Sequence, residues 1–475
     1  MPGAAPEPPP APDAQAAPAA HARGPNVQAA PAVDAQAAPA VDGRGPDVLF
    51  VCADPVGEEM AGLGIRCWEL ARTLSAGASV TVAHGGSELR ELEGVRLIPF
   101  RAHAPGGLRE LIAQADTVVA HPQWPLVDRW LKRSSARIVI DLYCPETLET
   151  LELAAGGFGP ARRQLTATTL DRLHAALRTG HNFICASESQ RDLWLGAMLA
   201  LRLIGPELYD RDPSLRETID LVPFGAPREP PAPSLGGGPR ETIAGLDDDS
   251  ELVLWNGGIW RWLDAPTAIR AVAELTQRRP RLRLVFMGGA PDHPAAAQST
   301  REARALAEQL GLLGSVVHFH DSWVPYAQRG TWLTQADCAI SAHAEHLETR
   351  FAYRTRLLDC FWAGVPVVCT SGDDLADYVA REHLGAVAPP RDVHALASAL
   401  EQVLESGRDS YSARLATAAE QQSWERMAAP LARWTAAPRP PSRPGDSRGA
   451  LRLPLAQRAR EAAYLAGGRM LLNRR

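Results

Sequence analysis

A run of ionisable side chains between residues 341 and 359 is the strongest chemical feature of the sequence. The run holds three arginines, two histidines and three carboxylates, and it separates an apolar strand-like segment from a helix-like one. Guanidinium groups offer forked donors to diphosphate oxygens, and a carboxylate at the start of a helix accepts hydroxyl donors from a ribose. We therefore expect a nucleoside diphosphate site. In it, Arg354 and Arg356 are the catalytic cations, and Glu348, Thr355 and Asp359 are donor-binding residues.

Two glycine-containing turns come before helix-like segments and are further candidates for binding a diphosphate. Gly62 and Gly64 follow the first apolar run, and Gly257 and Gly258 follow the first apolar run of the second half, with Arg261 close behind. Glycine permits close approach of a ligand to main-chain N–H groups, and the positive end of a helix favours phosphate there. For the first turn, a tight turn without a ligand remains the alternative.

Two further loops at predicted strand ends carry candidate site residues. Val324 and Pro325 stand in a loop that can present main-chain groups to a nucleotide base. An ordinary strand-to-helix connection is the alternative for this loop. Asp141 ends an apolar run and is a candidate for contacting an acceptor, unless it only caps the next turn.

Short apolar runs alternate with helix-length segments along most of the chain, which predicts the elements that position these residues. Such runs indicate strands buried on both faces of a parallel sheet, and the alternation is typical of an open, doubly wound sheet. This alternation is interrupted once, in the predicted linker, and then resumes. The predicted fold class is therefore α/β, with two Rossmann-like doubly wound domains facing a cleft. The strand-like runs are Val48–Cys52, Val80–Val82, Thr117–Ala120, Ile138–Ile140, Phe183–Cys185, Glu251–Trp255, Leu282–Met287, Val316–Phe319, Cys338–Ile340 and Val365–Cys369.

Changes in composition predict the domain boundaries. Residues 1–46 are rich in Ala and Pro and are expected to be disordered, because they carry too few large apolar side chains to offset the entropy of ordering. An N-terminal, acceptor-side domain is predicted over 47–228, a linker over 229–250, and a donor-side domain over 251–435. Residues 436–475 form a basic tail rich in Pro and Arg, with a predicted amphipathic helix from Leu455 to Leu472.

Overall composition excludes several classes of protein. The chain has 475 residues, of which 45% are hydrophobic and 22% are charged, and its net charge is -6. These values are typical of a soluble protein with more than one domain, and they provide no global positive field for nucleic acid. No apolar run approaches the roughly 18 residues of a membrane span, and no signal peptide is recognisable. We expect a cytoplasmic protein, or one held at the inner membrane face by weak contacts of the basic tail.

The second half of the chain resembles the donor half of glycosyltransferase family 4. The resemblance rests on Arg354 to Val368, on Gly372-Asp373, and on Gly385 to Pro390, which follow the order of that family's acidic helix, AxGxPVV turn and GxxVPP-like strand. The block from His346 to Gly364 is similar to an actinobacterial-type subgroup with HLETRFxxRTRxLDxxWAG. The resemblance covers roughly residues 47–435 and implies the GT-B fold. It also implies that His121, near a predicted strand end, faces the transferred sugar.

The sequence departs from the family pattern at three points. The two glutamates that the family separates by seven residues are absent in that form, and Asp359 replaces the glutamate that binds ribose. Lys132 is the only lysine and lies in the other half, so the family's donor-side lysine has no counterpart. Arg261, Arg354 and Arg356 are the available substitutes for it.

The resulting expectation is transfer of a sugar from a nucleoside diphosphate sugar to a hydroxyl acceptor. The acceptor is a glycan, a lipid-linked molecule or a metabolite. The resemblance implies retention at the anomeric carbon without a metal, and no cofactor is expected beyond the sugar nucleotide as co-substrate. Two alternatives stay open: a sugar-nucleotide epimerase or phosphorylase of the same fold, and a non-catalytic protein that binds a nucleotide or a sugar.

Overall fold

The structure is a computed structural model that describes residues 45–449, except residue 59 and residues 102–105, 154–158, 233–235 and 289–293. Most of the predicted N-terminal tail, and the C-terminal part of the basic tail with its predicted amphipathic helix, lie outside the described residues. Within the described part, no helix is long and apolar enough to cross a membrane.

Parallel strands build the first sheet, with one antiparallel strand at its edge. The order across the described sheet is β3-β4-β2-β1-β5-β6-β7-β8, and only β3 runs antiparallel to its neighbour. Central strands such as β1 and β6 are almost completely buried, as expected for strands covered by helices on both faces. The strands are β1 (Asp47–Cys52), β2 (Ser79–His84), β3 (Arg90–Leu92), β4 (Val95–Pro99), β5 (Thr117–Ala120), β6 (Arg137–Asp141), β7 (Asn182–Cys185) and β8 (Ile219–Leu221).

Helices cover this sheet and connect its strands. The first of them, α1, follows the loop after β1 and buries Leu70, Ala71 and Leu74 against the sheet. The helices are α1 (Gly62–Leu74), α2 (Gly106–Gln114), α3 (Pro125–Arg133), α4 (Glu146–Leu153), α5 (Pro160–Thr179), α6 (Glu188–Ala200) and α7 (Pro206–Arg211), and a short α8 (Pro239–Thr242) lies in the predicted linker.

The second sheet is wholly parallel in the described residues and has the order β11-β10-β9-β12-β13-β14. This order changes direction between β9 and β12, which makes that point the topological switch of the sheet. Its strands are β9 (Glu251–Trp255), β10 (Leu282–Phe286), β11 (Val317–Phe319), β12 (Cys338–Ser341), β13 (Val367–Thr370) and β14 (Gly385–Ala388). Its helices are α9 (Ala265–Leu275), α10 (Pro294–Gln309), α11 (Arg329–Thr334), α12 (Leu347–Phe351), α13 (Thr355–Trp362), α14 (Asp374–Arg381), α15 (Val393–Ser406) and α16 (Ser412–Gln421). The predicted α/β class with two Rossmann-like sheets is confirmed.

Three local expectations differ from the structure. The spacing of Ser299 and Glu302 predicts a capping box at the start of a helix, but this is wrong, because α10 already begins at Pro294 and Ser299 lies inside it. Helical spacing predicts that Leu170, Leu173 and Leu177 share one buried face of α5, but Leu170 is 38% exposed and only the other two are buried. Strand β4 and the edge strand β3 had no counterpart in the predicted runs.

The end of the described chain returns to the first domain. Helix α17 (Trp424–Met427) packs on α1, and after α18 (Ala429–Ala436) the carbonyl of Pro438 accepts a hydrogen bond from Arg137 on β6. Further on, Arg443 donates to the Lys132 carbonyl at 2.8 Å. The segment from Trp424 onward therefore packs on the first sheet, whereas the sequence assigned residues up to 435 to the donor-side domain and treated the rest as a tail.

Candidate active site

A cavity of about 650 Å³ lies between the two sheets, at the carboxyl ends of the strands of both. Loops after β1, β5 and β6 form one wall, and loops after β9, β10, β11 and β12 form the other. Ligands of open α/β sheets bind at this edge. Most of the predicted site residues line it: Gly62, His121, Asp141, Gly257, Gly258, Val324, Glu348, Arg354, Thr355, Arg356 and Asp359.

Three predicted residues do not line the cavity. A side chain added at Gly64 would place its Cβ 2.3 Å from the Pro55 carbonyl oxygen, so this glycine lets α1 approach the chain after β1. Arg261 is exposed outside the cavity, and Pro325 precedes the 3-10 turn over 326–328. Gly62, the other glycine of the first turn, lines the cavity instead.

The two glycine turns present main chain to the cavity. Gly257 has φ +113°, a conformation that favours glycine, and Gly62 would contact the Tyr143 hydroxyl at 3.1 Å if it carried a Cβ. The N-terminus of α1 has no side-chain cap, so its first N–H groups remain available beside the cavity. Both turns can therefore accept an anion through main-chain N–H groups.

Four arginines line the cavity, and three of them pair with a carboxylate. Arg172 pairs with Glu146, Arg329 pairs with Asp359 at 3.2 Å, and Arg354 pairs with Asp373 at 2.5 Å. The Arg354 and Asp373 side chains are fully buried, and Asp373 also caps α14 by accepting from the main-chain N–H groups of residues 375 and 376. The charge of Arg354, predicted as a cation for the diphosphate, is thus already balanced within the protein.

Arg356 is the fourth of these arginines, and it forms no ion pair within the described residues. Its Nη2 donates to the Gly258 carbonyl at 3.3 Å, its Nη1 is buried without a hydrogen-bond partner, and its guanidinium lies 5.6 Å from the Trp255 ring centre. Burial, with Arg354 nearby, lowers the pKa of Arg356 to about 10. A desolvated cation beside a glycine turn is a ready partner for a diphosphate anion.

Asp359 belongs to a cluster that links the two domains. Arg329 stacks 3.6 Å over the Tyr326 ring and pairs with Asp359, and the Tyr326 hydroxyl donates to Glu69 on α1 at 2.8 Å. Of these residues, Asp359, Arg329 and Tyr326 line the cavity. Since Arg329 contacts only one Asp359 oxygen in the described structure, the carboxylate keeps capacity to accept a hydroxyl donor.

A buried ion pair between Arg66 and Asp141 lies in the wall that the first domain forms. Arg66 donates from Nε to Asp141 Oδ2 at 2.6 Å and from Nη2 to Asp141 Oδ1 at 3.0 Å, and Nη2 also reaches the Val222 carbonyl at 2.7 Å. The Arg66 guanidinium also lies over Tyr143, at 4.8 Å from the ring centre. Asp141 is therefore held by the protein itself, which differs from a free acceptor-binding carboxylate.

His121 stands next to this pair with its imidazole toward the cavity. Its Nε2 is 3.6 Å from Asp141 Oδ2, beyond a hydrogen bond, and neither ring nitrogen has a hydrogen-bond partner within the described residues. Burial lowers the pKa of His121 to about 4, and Arg66 adds to this effect while Asp141 opposes it. At neutral pH, the imidazole is thus uncharged and available to a substrate hydroxyl.

The lowered pKa of His121 predicts a pH-dependent loss of stability. The unfolded chain binds the proton near pH 6.5, whereas the folded chain binds it only near pH 4, so stability falls as the pH drops through this window. We expect His121→Gln to flatten the fall in melting temperature between pH 7 and pH 4.5. The matched control is His394→Gln, whose side chain is 86% exposed and which should follow the wild type. A His121→Gln curve parallel to the wild type would contradict the assignment.

Two glutamates from opposite domains share a low-dielectric region of the cavity. Burial raises the pKa of Glu348 to about 8 and that of Glu149 to about 7. Glu149 adds to the shift of Glu348, so the two carboxyls lie within electrostatic range across the cleft. Glu348 was predicted as a donor-binding residue, whereas Glu149 was not singled out.

Several important residues escaped the sequence reasoning. Arg66, Arg329 and Asp373 form ion pairs with residues 75, 30 and 19 positions away, which no local pattern reveals. A signal did exist for Arg66. It lies four residues before Leu70 on the buried face of α1, where a charged side chain needs a buried partner.

The part of the chain that contains the second sheet matches a known family. Residues 250–406 match the family described as glycosyl transferases group 1. A comparison with curated proteins gives no match. Solved structures, by contrast, align with most of the chain.

Three of these structures illustrate the likeness. WaaG, a glycosyltransferase involved in lipopolysaccharide biosynthesis, is 20% identical with a TM-score of 0.55, over 82% of this chain and 99% of WaaG. The fold is that of the GT-B glycosyltransferases. Sucrose-phosphate synthase from Thermosynechococcus elongatus is 16% identical (TM-score 0.58; 82% and 98% covered), and Anabaena HepE in complex with UDP and glucose is 14% identical (TM-score 0.59; 82% and 99% covered). This GT-B architecture confirms the two-domain arrangement expected from the alternating runs.

Proposed function

We propose that this protein transfers a sugar from a nucleoside diphosphate sugar to a hydroxyl group of an acceptor bound in the same cavity. The observation that carries the proposal is Arg356, a largely desolvated cation without a carboxylate partner in the described residues, beside the Gly257-Gly258 turn. A buried charge is costly unless it is paired, so the site gains most when an anion binds there. The match of residues 250–406 to glycosyl transferases group 1 supports the same reading.

The proposed reaction breaks the bond between the anomeric carbon and the diphosphate oxygen and forms a bond from that carbon to the acceptor oxygen. The leaving diphosphate takes the electron pair of the broken bond, and the acceptor hydroxyl loses its proton. Arg356 and the N–H groups at the two glycine turns would stabilise the negative charge that develops on the leaving group. The neutral His121 would hold a substrate hydroxyl.

Retention at the anomeric carbon and transfer without a metal ion are finer parts of the proposal. They follow from the resemblance of Arg354 to Val368 to glycosyltransferase family 4, and arginine charge and main-chain N–H groups would take the place of a cation. Product stereochemistry by NMR tests the first part, and retained activity in excess EDTA tests the second.

The base of the donor is proposed to be uracil, because Anabaena HepE has been solved with UDP and with UDP-glucose. A thermal-shift series with UDP, GDP, dTDP and ADP tests both the class and the base. Ligand at about a hundred times its Kd should stabilise the protein by about 2.7 kcal/mol, which moves the midpoint by a few degrees. We expect UDP alone to give this shift.

The variant Asp359→Asn should lose most of this shift, because its carboxylate is proposed to accept the ribose hydroxyls. The matched control is Asp377→Asn, an exposed aspartate of the same domain outside the cavity. A wild-type shift with none of the four nucleotides would reject the proposed function. An equal shift in both variants would remove Asp359 from the nucleotide site.

A further inference from the structure

The charges that line the cavity are distributed unequally between its two walls. Arg172, Arg329 and Arg354 are each balanced by a carboxylate, and Asp141 is balanced by Arg66. After these pairs cancel, the donor-side wall keeps the positive Arg356. Three lining carboxyls remain without an ion pair to Lys or Arg in the described residues: Asp54, Glu149 and Glu348.

From this imbalance we infer that the acceptor carries at least one protonated amine besides its reacting hydroxyl. This inference rests on the proposed function and names the class of its second substrate. Asp54 follows β1 and Glu149 lies on α4, so both belong to the first domain, opposite the Gly257-Gly258 turn. An ammonium group bound at this wall would stabilise the ionised form of both carboxyls.

Glu348 provides an independent observation that points to a ligand. Its side chain is 2% exposed and lines the cavity, and its Oε2 has no hydrogen-bond partner within the described residues. His346 Nδ1, at 3.6 Å from Oε2, is too far for a hydrogen bond. A buried carboxyl oxygen without a hydrogen-bond partner is rare in folded proteins, and an ammonium group, which offers three donors, would favour the ionised form of this carboxyl.

One cation of the protein itself already lies between a carboxylate and an aromatic ring at this cavity. At the wall of the cavity, the Arg172 guanidinium lies 5.0 Å over the ring of Trp124 and pairs with Glu146. Two further indoles, Trp260 and Trp262, line the opposite wall and stack on each other at 5.4 Å. Carboxylates combined with indole faces are typical of sites that recognise ammonium groups.

The titration behaviour agrees with this placement. Glu149 interacts electrostatically with Glu146 and by a hydrogen bond with the Cys144 thiol, both in its own domain. Burial together with Glu146 raises its pKa. Glu348 interacts electrostatically with Glu149, Arg354, Asp373 and Glu152, and burial is the main cause of its raised pKa. Both groups therefore pay a desolvation cost as carboxylates, which a bound ammonium group would relieve.

The test compares matched acceptors that differ in one substituent. The probes are the methyl glycosides of glucosamine, glucose and N-acetylglucosamine, assayed for kcat/KM at pH 7 and low salt with the donor identified by thermal shift. We expect the amine to be preferred over both neutral probes by about tenfold or more, and added salt to reduce this preference. Equal or better transfer to a neutral probe would overturn the inference.

Two variants locate the preference. Glu149→Gln and Asp54→Asn should each lower the ratio of amine to neutral kcat/KM by about tenfold, whereas Glu110→Gln, an exposed glutamate on α2 of the same domain and outside the cavity lining, should leave it unchanged. Folding is not the concern for Glu149→Gln. Because burial raises the pKa of Glu149, its ionisation makes the folded protein less stable as the pH rises from about 4.5 to about 7, so the variant should melt no lower than the wild type above pH 7.

The donor measurements separate this inference from the proposed function. A UDP-induced thermal shift together with slow hydrolysis of the donor, without any preference for the amine, would retain the transferase and reject the cationic acceptor. If none of the three probes is glycosylated, their binding is compared by thermal shift in the presence of UDP. Equal shifts for amine and neutral probes would also reject the cationic acceptor. A larger shift for the amine that disappears in Glu149→Gln would support it.

Discussion

Turnover of Arg356→Ala is expected to fall by about a hundred- to a thousandfold, the loss caused by removing one preorganised donor to a developing anion. The reason is specific to this arginine. The other lining arginines within the described residues form ion pairs with Glu146, Asp359 and Asp373. Arg356 forms none there, so its charge is available to the ligand. Steady-state kinetics with the identified donor measure the effect, and the loss should appear mainly in kcat.

Stability distinguishes this effect from damage to the fold. Removing a largely desolvated cation without a carboxylate partner should leave the melting temperature unchanged or raise it. Arg261→Ala is the matched control, because Arg261 is exposed and lies outside the cavity on the loop that also carries Gly258. Normal kinetics in Arg356→Ala would exclude this arginine from the site.

Arg66→Met should produce the largest loss of stability, about 3 to 5 kcal/mol in the free energy of unfolding. The substitution leaves Asp141, of which 2% is exposed, as a buried carboxylate that has lost its charge partner, and it removes the contact with the Val222 carbonyl. Urea denaturation followed by circular dichroism measures the change. Arg278→Met, which breaks the solvent-exposed pair with Glu401, should change the free energy of unfolding far less.

A double variant tests the cause of that loss. If the cost arises from the isolated carboxylate, Arg66→Met combined with Asp141→Leu should recover much of the lost stability, because a buried ion pair replaced by apolar groups is often nearly neutral. Additive losses in the double variant would indicate that Arg66 acts through packing on Tyr143 alone.

The sequence was sufficient for the architecture and for much of the cavity lining. Strands such as β1 and β9 are continuous apolar runs because both of their faces are covered, and this local pattern needs no knowledge of distant residues. The glycine turns and Arg356 were found for the same reason, since their position after a strand already implies the edge of the sheet.

The pairing of charges could not be predicted. Arg354 and Arg356 are two residues apart and look equivalent in the sequence, yet Asp373 neutralises one of them and no carboxylate reaches the other in the described structure. Which arginine is free depends on where α14 packs, and that is a property of the tertiary structure. The same holds for Glu149 and Glu348, which come from different domains.

The return of the chain to the first domain has a mechanical consequence. The chain passes between the domains twice, near Ala226 and near Ser423, and the two passages are hydrogen-bonded side by side through Ala226 and its neighbours Gln422 and Trp424. Two adjacent segments joined by hydrogen bonds resist a twist of one domain against the other more than a single connection does. They favour a bending motion of the domains about one axis. The two walls of the cleft should therefore separate and approach by rotation about one axis that passes near Ala226 and Ser423.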